Sequence, residues 1–204
     1  MSNHYRKVLL ACSLALVGIA TARAEGPAKA YLALGDSVSF GFNPFVVPLG
    51  DLSDYYGYPQ FVSASVKLNL ANASCVGETS TSFLEVTAPD LGCHEWRAAE
   101  LPLFVTYSGL SQSQADYAVS FLRANPKTRL VTITIGGNDL GLLQATCEAE
   151  FTSSTDIADC EIKGLAAVYA NFARNLIAIY QALRFKAPNA APTGNLVTVA
   201  SICL

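Results

Sequence analysis

An apolar run that ends in a Gly-Asp-Ser turn is the feature that most constrains this chain. Residues 31–34 are all apolar, and Gly35, Asp36 and Ser37 follow them directly. A short run without polar alternation predicts a strand that is buried on both faces, as in a parallel sheet. Glycine and aspartate then favour a tight turn. The pattern predicts a serine hydroxyl at the carboxyl end of a buried strand.

A second run, residues 130–135, ends in a similar turn. Val, Ile and Thr crowd into it, which is typical of a strand, and Gly136, Gly137, Asn138 and Asp139 follow. Ligands bind at the carboxyl edge of a parallel sheet, where such turns meet. We therefore expect the two turns to form one site. A serine in such a site becomes a nucleophile only when a base lies beside it.

With these residues the chain resembles the SGNH (GDSL) hydrolases, a family of esterases and lipases. The matching blocks, over roughly residues 29–204, are Gly35-Asp36-Ser37-x-Ser39, a glycine at Gly77, and Gly136-x-Asn138-Asp139. The resemblance implies that Ser37 is the nucleophile. It also implies an oxyanion hole formed by the backbone N–H groups of Ser37 and Gly77 and the side-chain amide of Asn138. No cofactor is expected, because the serine mechanism needs none, and no metal is expected, because no spaced second pair of ligands accompanies Cys93 and His94.

Each of these residues also has a simpler structural interpretation. Ser37 is compatible with a serine that only caps a strand-to-helix turn, and Gly77 with a loop glycine beside a cysteine. Asn138 or Asp139 fits the N-cap of the helix that follows.

The base is the part of the family pattern that the sequence lacks. The family has an Asp-x-x-His near its C-terminus, and none follows Asn138. His4 lies in a leader segment, and His94 is expected to have a local packing or surface role. With Cys203 unpaired and an apolar final strand, we expect a truncated esterase without its last strand and helix, inactive or nearly so as it stands. The alternatives are a non-catalytic binding protein on a degenerate SGNH scaffold and an enzyme with an unusual base such as His94.

The first 24 residues have the composition of a secretory signal peptide. Two basic residues precede an apolar run over residues 8–20, and a small-x-small cleavage site ends at Ala24. This run is too short for a membrane span, which needs about 20 apolar residues. We therefore expect cleavage after Ala24, a secreted or periplasmic protein without an integral membrane anchor, and one hydrolase domain over residues 25–204.

Export also bears on the cysteines, because exported proteins keep disulfides. The local pairs that we expect are Cys75 with Cys93 and Cys147 with Cys160, although sequence alone leaves the connectivity open. Cys203 then has no partner within the chain.

Charge limits the choice of partner. The leader contains three basic residues and no acid, so the mature chain has 10 basic and 16 acidic residues and a net charge of −6. An acidic chain without basic runs does not suit nucleic acid or anionic membrane surfaces. We expect a small-molecule or lipid ester as substrate. Lipid, aryl, acetyl-sugar and thioester substrates all remain open, although apolar loops at residues 42–57 and 79–107 favour acyl chains. The oligomeric state is not predicted.

Strand and helix patterns alternate along the chain. Strands are predicted over residues 29–34, 70–73, 130–135 and 196–200, and helices from Pro59, from Ser111, over 138–146 and over 165–185. Residues 147–160 are predicted to be a polar insertion. The alternation predicts βαβ units and a three-layer α/β/α sandwich around a parallel sheet. The SGNH resemblance implies that this sandwich is flavodoxin-like.

Overall fold

The structure is a computed structural model that describes residues 29–46, 51–99, 101, 103–105, 111–185 and 200–201. The elements of this part of the chain, in order, are β1 (Ala30–Gly35), α1 (Ser37–Phe40), a 3-10 turn (Leu52–Asp54), α2 (Tyr58–Val66), β2 (Asn69–Asn72), α3 (Ser80–Leu84), α4 (Cys93–Ala98), α5 (Gln114–Ala124), β3 (Leu130–Thr134), α6 (Gly137–Glu150), α7 (Ser154–Phe185) and β4 (Ala200–Ser201). The predicted alternation of strands and helices is confirmed.

The described strands form one parallel sheet in the order β2-β1-β3-β4. β1 is an interior strand, in which Leu32 pairs with Ala71 on one side and with Val131 on the other. Because β1 has neighbours on both sides and helices over both faces, all six of its residues are buried. This strand order is that of the flavodoxin-like fold, in which sites form where β1 and β3 diverge.

The two faces of the sheet differ in chemistry. One face packs on α3, α5 and α7 through an apolar cluster that includes Leu32, Leu34, Phe83, Ala118, Leu122, Val131, Ile133, Phe172, Ile179 and Leu183. On the other face the hydroxyls of Tyr31 and Thr132 lie 2.7 Å apart, and Tyr58 of α2 donates to Thr132 at 3.0 Å. Helices on both faces give the three-layer α/β/α sandwich that the sequence predicts.

The predicted polar insertion at residues 147–160 is wrong, because most of it is helical. α6 continues to Glu150, and α7 begins at Ser154 instead of at residue 165. The polar side chains here are exposed on two helices joined by a short turn, so their polarity reflects exposure and not a loop. Both predicted disulfides are present: Cys147–Cys160 links these two helices, and Cys75–Cys93 links the segment after β2 to α4.

Three predictions concern residues outside the described ranges. They are the signal peptide over residues 1–24, most of the strand over residues 196–200, and the unpaired Cys203. In the part of the chain that the structure describes, no helix combines the length and the apolar character that crossing a membrane requires.

Candidate active site

Ser37 is the first residue of α1 and follows β1 after a tight turn. Gly35 has φ +117°, and a Cβ there would collide with the backbone carbonyl of Thr134, so the turn requires glycine. The Asp36 N–H donates to that same carbonyl at 3.0 Å. The Asp36 carboxylate caps α1 by accepting the Val38 N–H at 3.0 Å. Asp36 therefore stabilises the turn, while Ser37 is partly buried.

A buried polar cluster lies directly beneath this turn. The Ser39 hydroxyl donates to the Leu34 carbonyl at 2.7 Å and also contacts the hydroxyls of Thr134 and Tyr58. Thr134 in turn donates to the Asp36 carboxylate at 3.2 Å. Burial raises the pKa of Asp36 above its ordinary value, although the hydrogen bonds that its carboxylate accepts from Val38 and Thr134 act in the opposite direction. The serine turn is thus fixed to β3 by side chains as well as by backbone.

Gly77 lies in the segment that follows β2. Its φ is +85°, and a Cβ there would collide with the Leu91 carbonyl, so a side chain is excluded. The Leu91 N–H donates to the Gly77 carbonyl at 2.9 Å. Two residues earlier, the Cys75 N–H donates to the Gly35 carbonyl at 3.0 Å. This bond, with the Cys75–Cys93 disulfide, holds the Gly77 segment beside the serine turn.

Asn138 is the second residue of α6, and its amide is directed across the sheet edge. Its Nδ2 donates to the backbone carbonyl of Glu78 at 2.9 Å. The N-cap position is Gly136, and the Asp139 carboxylate instead accepts the Ser80 N–H at 2.9 Å. Neither Asn138 nor Asp139 acts as the N-cap, so the structural alternative for these two residues is wrong.

The segments of Ser37, Gly77 and Asn138 all lie at the carboxyl edge of the sheet. Gly35, which accepts the hydrogen bond from Cys75, connects the first two segments, and the carbonyl of Glu78 connects the second to the third. The structure brings the turns after β1 and β3 to one edge, as the two strand endings predict, and the Gly77 segment lies beside them.

Sequence reasoning missed two residues of this edge, Glu78 and Gln114. Both are buried, with 2% and 1% of their surfaces exposed. The Glu78 carboxylate accepts hydrogen bonds from Ser82 and, at 2.8 Å, from Gln114 Nε2. Burial raises the pKa of Glu78 to about 7, although both of these bonds act in the opposite direction. In the sequence Gln114 resembles a capping residue, but Ser113 is the N-cap of α5.

His94 is held locally, as expected. Its Nδ1 lies 2.8 Å from the Asp90 carboxylate, and its Nε2 contacts the Val86 carbonyl. Both ring nitrogens therefore face oxygen atoms of the neighbouring residues Asp90 and Val86, which is the local role that the sequence predicts.

One described group of residues has the composition of a metal site. Cys75, Glu78 and Cys93 place their ligand atoms within 4.8 Å of one another. The two sulfurs are joined in a disulfide, so neither is a thiolate, and a metal would have only the Glu78 carboxylate.

An open cleft of about 360 Å³ lies between α6 and α7, and Gly137, the residue before Asn138, is part of its lining. Its lining residues are Gly137, Leu140, Gly141, Leu143, Gln144, Glu161 and Leu165. The end of the Leu91 side chain lies against Gly141, so the cleft borders the residue that contacts Gly77. The cleft is more apolar than polar in its lining.

An α/β sandwich with a serine turn and a Gly-Gly-Asn-Asp turn at one sheet edge has the layout of an SGNH hydrolase. The chain belongs to the GDSL-like lipase/acylhydrolase family, whose model matches residues 31–202.

The chain is also similar to several named proteins. The chain is 31% identical to Lipase 1 of Streptomyces coelicolor over 191 residues, which are 90% of this chain and 58% of that protein. Among solved structures, phospholipase A1 of Streptomyces albidoflavus has a TM-score of 0.49 at 22% identity, covering 85% of this chain and 58% of that one. An extracellular lipase of Streptomyces rimosus has a TM-score of 0.46 at 22% identity, covering 85% and 59%. The chain thus spans less than two thirds of the length of these relatives.

Proposed function

We propose that this chain has the serine nucleophile of an exported hydrolase that cleaves lipid esters through an acyl-enzyme on Ser37. The observation that carries the proposal is that the segments of Ser37, Gly77 and Asn138 are hydrogen-bonded to one another at one sheet edge, with glycine required at positions 35 and 77. Family membership and the two disulfides support a hydrolase and export.

The proposed reaction begins when the Ser37 oxygen attacks the ester carbonyl. The negative charge that develops on the carbonyl oxygen is stabilised by the backbone N–H groups of Ser37 and Gly77 and by the Asn138 amide. Asn138 suits this role because its amide has two N–H donors, and one of them already binds the Glu78 carbonyl. The alcohol leaves, and water then releases the acid from Ser37.

Proton removal from Ser37 requires a base with a free nitrogen or carboxylate. Residues 1–204 contain no Asp-x-x-His after Asn138, and His94 is engaged by Asp90 and Val86. We therefore propose that these residues alone hydrolyse esters only at the residual rate that an oxyanion hole supplies.

The cleft between α6 and α7 suggests the substrate class. Its lining includes Gly137, the residue before Asn138, and contains three leucines and two glycines in all. An acyl chain attached to the carbonyl would extend into such a cleft and bury apolar surface there. We propose a lipid ester on this ground, and the name of Lipase 1 is consistent with it.

A fluorophosphonate probe tests the proposal, because it forms a stable adduct with a serine beside an oxyanion hole, rapidly where a base activates that serine and slowly where none does. The protein, expressed from its gene, is incubated with the probe and its peptides are analysed by mass spectrometry. We expect one adduct, on Ser37, which Ser37→Ala abolishes and the exposed-surface control Ser65→Ala retains.

An adduct on another serine, or a folded protein that carries no adduct, would overturn the proposal and favour the binding-protein alternative. Hydrolysis of p-nitrophenyl esters with short and long acyl chains provides the substrate test. A preference for long chains supports the lipid ester, whereas a preference for acetate contradicts it.

A further inference from the structure

The buried amide of Gln114 is the strongest feature that the proposed function does not use. Gln114 is the first residue of α5, and its neighbours Ala115 and Ala118 on this helix belong to the apolar cluster. Burying an amide costs free energy unless its polar atoms are hydrogen-bonded. The hydrogen bonds that the Gln114 amide makes must therefore account for a polar side chain at this buried position.

Gln114 binds both polar groups of the Gly35 backbone. Its Oε1 accepts the Gly35 N–H, and its Nε2 donates to the Gly35 carbonyl at 3.0 Å. This pair of bonds fixes which end of the amide carries the oxygen, because a reversed amide would point N–H groups at the N–H of Gly35. Gln114 thus holds the backbone two residues before Ser37.

The same Nε2 also donates to the Glu78 carboxylate at 2.8 Å. Glu78 directly follows Gly77, and its backbone carbonyl accepts the hydrogen bond from Asn138. The second carboxylate oxygen accepts from Ser82 of α3, so both oxygens have donors. One side chain therefore contacts the serine turn and the residue that lies between the two other candidate oxyanion donors.

We propose that Gln114 and Glu78 are positioning residues that hold the Gly77 and Asn138 donors in register with Ser37. The inference rests on the proposed function, because it concerns how that site is assembled. An oxyanion donor acts only within hydrogen-bond distance of the developing charge, and a displacement of about 1 Å can lower a rate by about a hundredfold. A buried link between Gly35 and Glu78 limits that displacement.

A purely structural role is the competing explanation, in which Gln114 only satisfies backbone groups of a buried turn. The two roles differ in what a substitution changes. Loss of a structural bond lowers stability and leaves the rate of the folded protein unchanged. Loss of positioning lowers kcat with little change in KM, because the interaction is realised in the transition state.

The test uses a set of variants of the protein expressed from its gene. Gln114→Met keeps the size of the side chain and removes its polar groups. The double variant Gln114→Glu with Glu78→Gln exchanges the two side chains: as the neutral acid, the carboxyl group at position 114 accepts the Gly35 N–H and donates its O–H to the Gly35 carbonyl, and the amide at position 78 donates to the O–H oxygen. The Gly35 carbonyl retains its bond from Cys75. Gln181→Met, on the exposed surface of α7, is the matched control.

We expect Gln114→Met to lower kcat for p-nitrophenyl butyrate, and the rate of fluorophosphonate labelling, by roughly ten- to a hundredfold with KM nearly unchanged. The exchanged double variant should recover most of the lost kcat and labelling rate. Gln181→Met should keep the kcat and labelling rate of the wild type. Urea unfolding of every variant verifies that each rate is measured on folded protein.

A folded Gln114→Met protein with the kcat of the wild type would overturn the inference while Ser37 labelling still supports the proposed function. If Gln114→Met does not fold, the double variant decides. A double variant with a kcat close to that of the wild type supports the positioning role, and a folded double variant with a low kcat contradicts that role. A folded wild-type protein that carries no adduct on Ser37 would instead refute the proposed function, and the inference with it.

Discussion

The apolar core and the polar edge of the sheet are both closed to water, but they are built by different rules. In the core, residues such as Ile133 and Phe172 make contacts without directional requirements. At the edge, Ser39, Glu78 and Gln114 are equally buried, yet each makes hydrogen bonds to named partners at fixed positions. The core can adjust to a changed shape, whereas the edge depends on each donor meeting its acceptor.

This difference indicates a division of labour within one small domain. The core determines that β1 and β3 lie side by side, and so brings the two turns to the same edge. The polar edge then determines where individual atoms lie within that edge. Substitutions in the two regions should therefore separate stability from reactivity.

A core substitution should have the largest effect on stability. Ile133 is fully buried in β3. We expect Ile133→Ala to lower the free energy of unfolding by about 3 to 4 kcal/mol, through lost burial and the cavity that remains. The rate of Ser37 labelling in the folded fraction should be unchanged. Urea unfolding measures the free energy of unfolding, and labelling of the same samples measures the rate at Ser37. A large loss of labelling in folded protein would contradict the separation of stability in the core from reactivity at the polar edge.

Glu78 should make the stability of the edge depend on pH. Burial raises its folded pKa from 4.5 to about 7, with Asp90 acting in the same direction and Ser82, Gln114 and Arg97 in the opposite one. A raised folded pKa gives stability that is fully present below the unfolded value and is lost as pH rises through the folded value. We expect the free energy of unfolding to fall by about 3 kcal/mol between roughly pH 4.5 and pH 7.

Glu78→Gln isolates this effect because it cannot ionise. The free energy of unfolding is measured by urea unfolding below the unfolded pKa of Glu78 and again above its folded pKa. It should be lower at the higher pH for the wild type, and the variant should lack this decrease. Other carboxylates titrate in both proteins and cancel in the difference. Equal pH dependence of the two proteins would show that burial of Glu78 does not couple its ionisation to folding.

Local sequence patterns predicted the scaffold and the positions of the candidate site residues. The strand run before Ser37 is apolar without interruption, the run before Asn138 is rich in β-branched residues, and glycine marks both turns, so each signal lies within a few residues. The disulfide pairs follow from the same local logic, since each closes a short loop. The roles of Ser37, Gly77 and Asn138 in catalysis remain predictions.

The polar edge could not be predicted in the same way. Glu78 and Gln114 are 36 residues apart, and nothing in either local sequence distinguishes a buried polar side chain from an exposed one. For the same reason the polar residues near Cys147 suggested a loop, although they cover the surface of two helices. Burial of polar groups is a property of the tertiary structure, so it becomes visible only when the partners are seen together.

Two threonines on the same face of β3 offer the test with the smallest expected effect. They test whether buried hydroxyls of the polar edge act on the position of Ser37 or on stability alone. Thr134 bonds to Ser39 and Asp36 of the serine turn, while Thr132, on the same face, bonds to Tyr31 and Tyr58. Valine has the shape of threonine without its hydroxyl. We therefore expect Thr134→Val and Thr132→Val each to lower the free energy of unfolding by about 1 to 2 kcal/mol.

Only Thr134→Val should also slow the labelling of Ser37, by up to about tenfold, because it releases Asp36 and with it the turn that presents the serine. Thr132→Val removes an equally buried hydroxyl from the same strand and is thus the matched control. Equal labelling rates for the two variants would mean that buried hydroxyls act on stability alone, and that the position of Ser37 is set by the backbone bond between Asp36 and Thr134. A selective loss in Thr134→Val would extend the polar edge from Gln114 and Glu78 to the cluster beneath the serine.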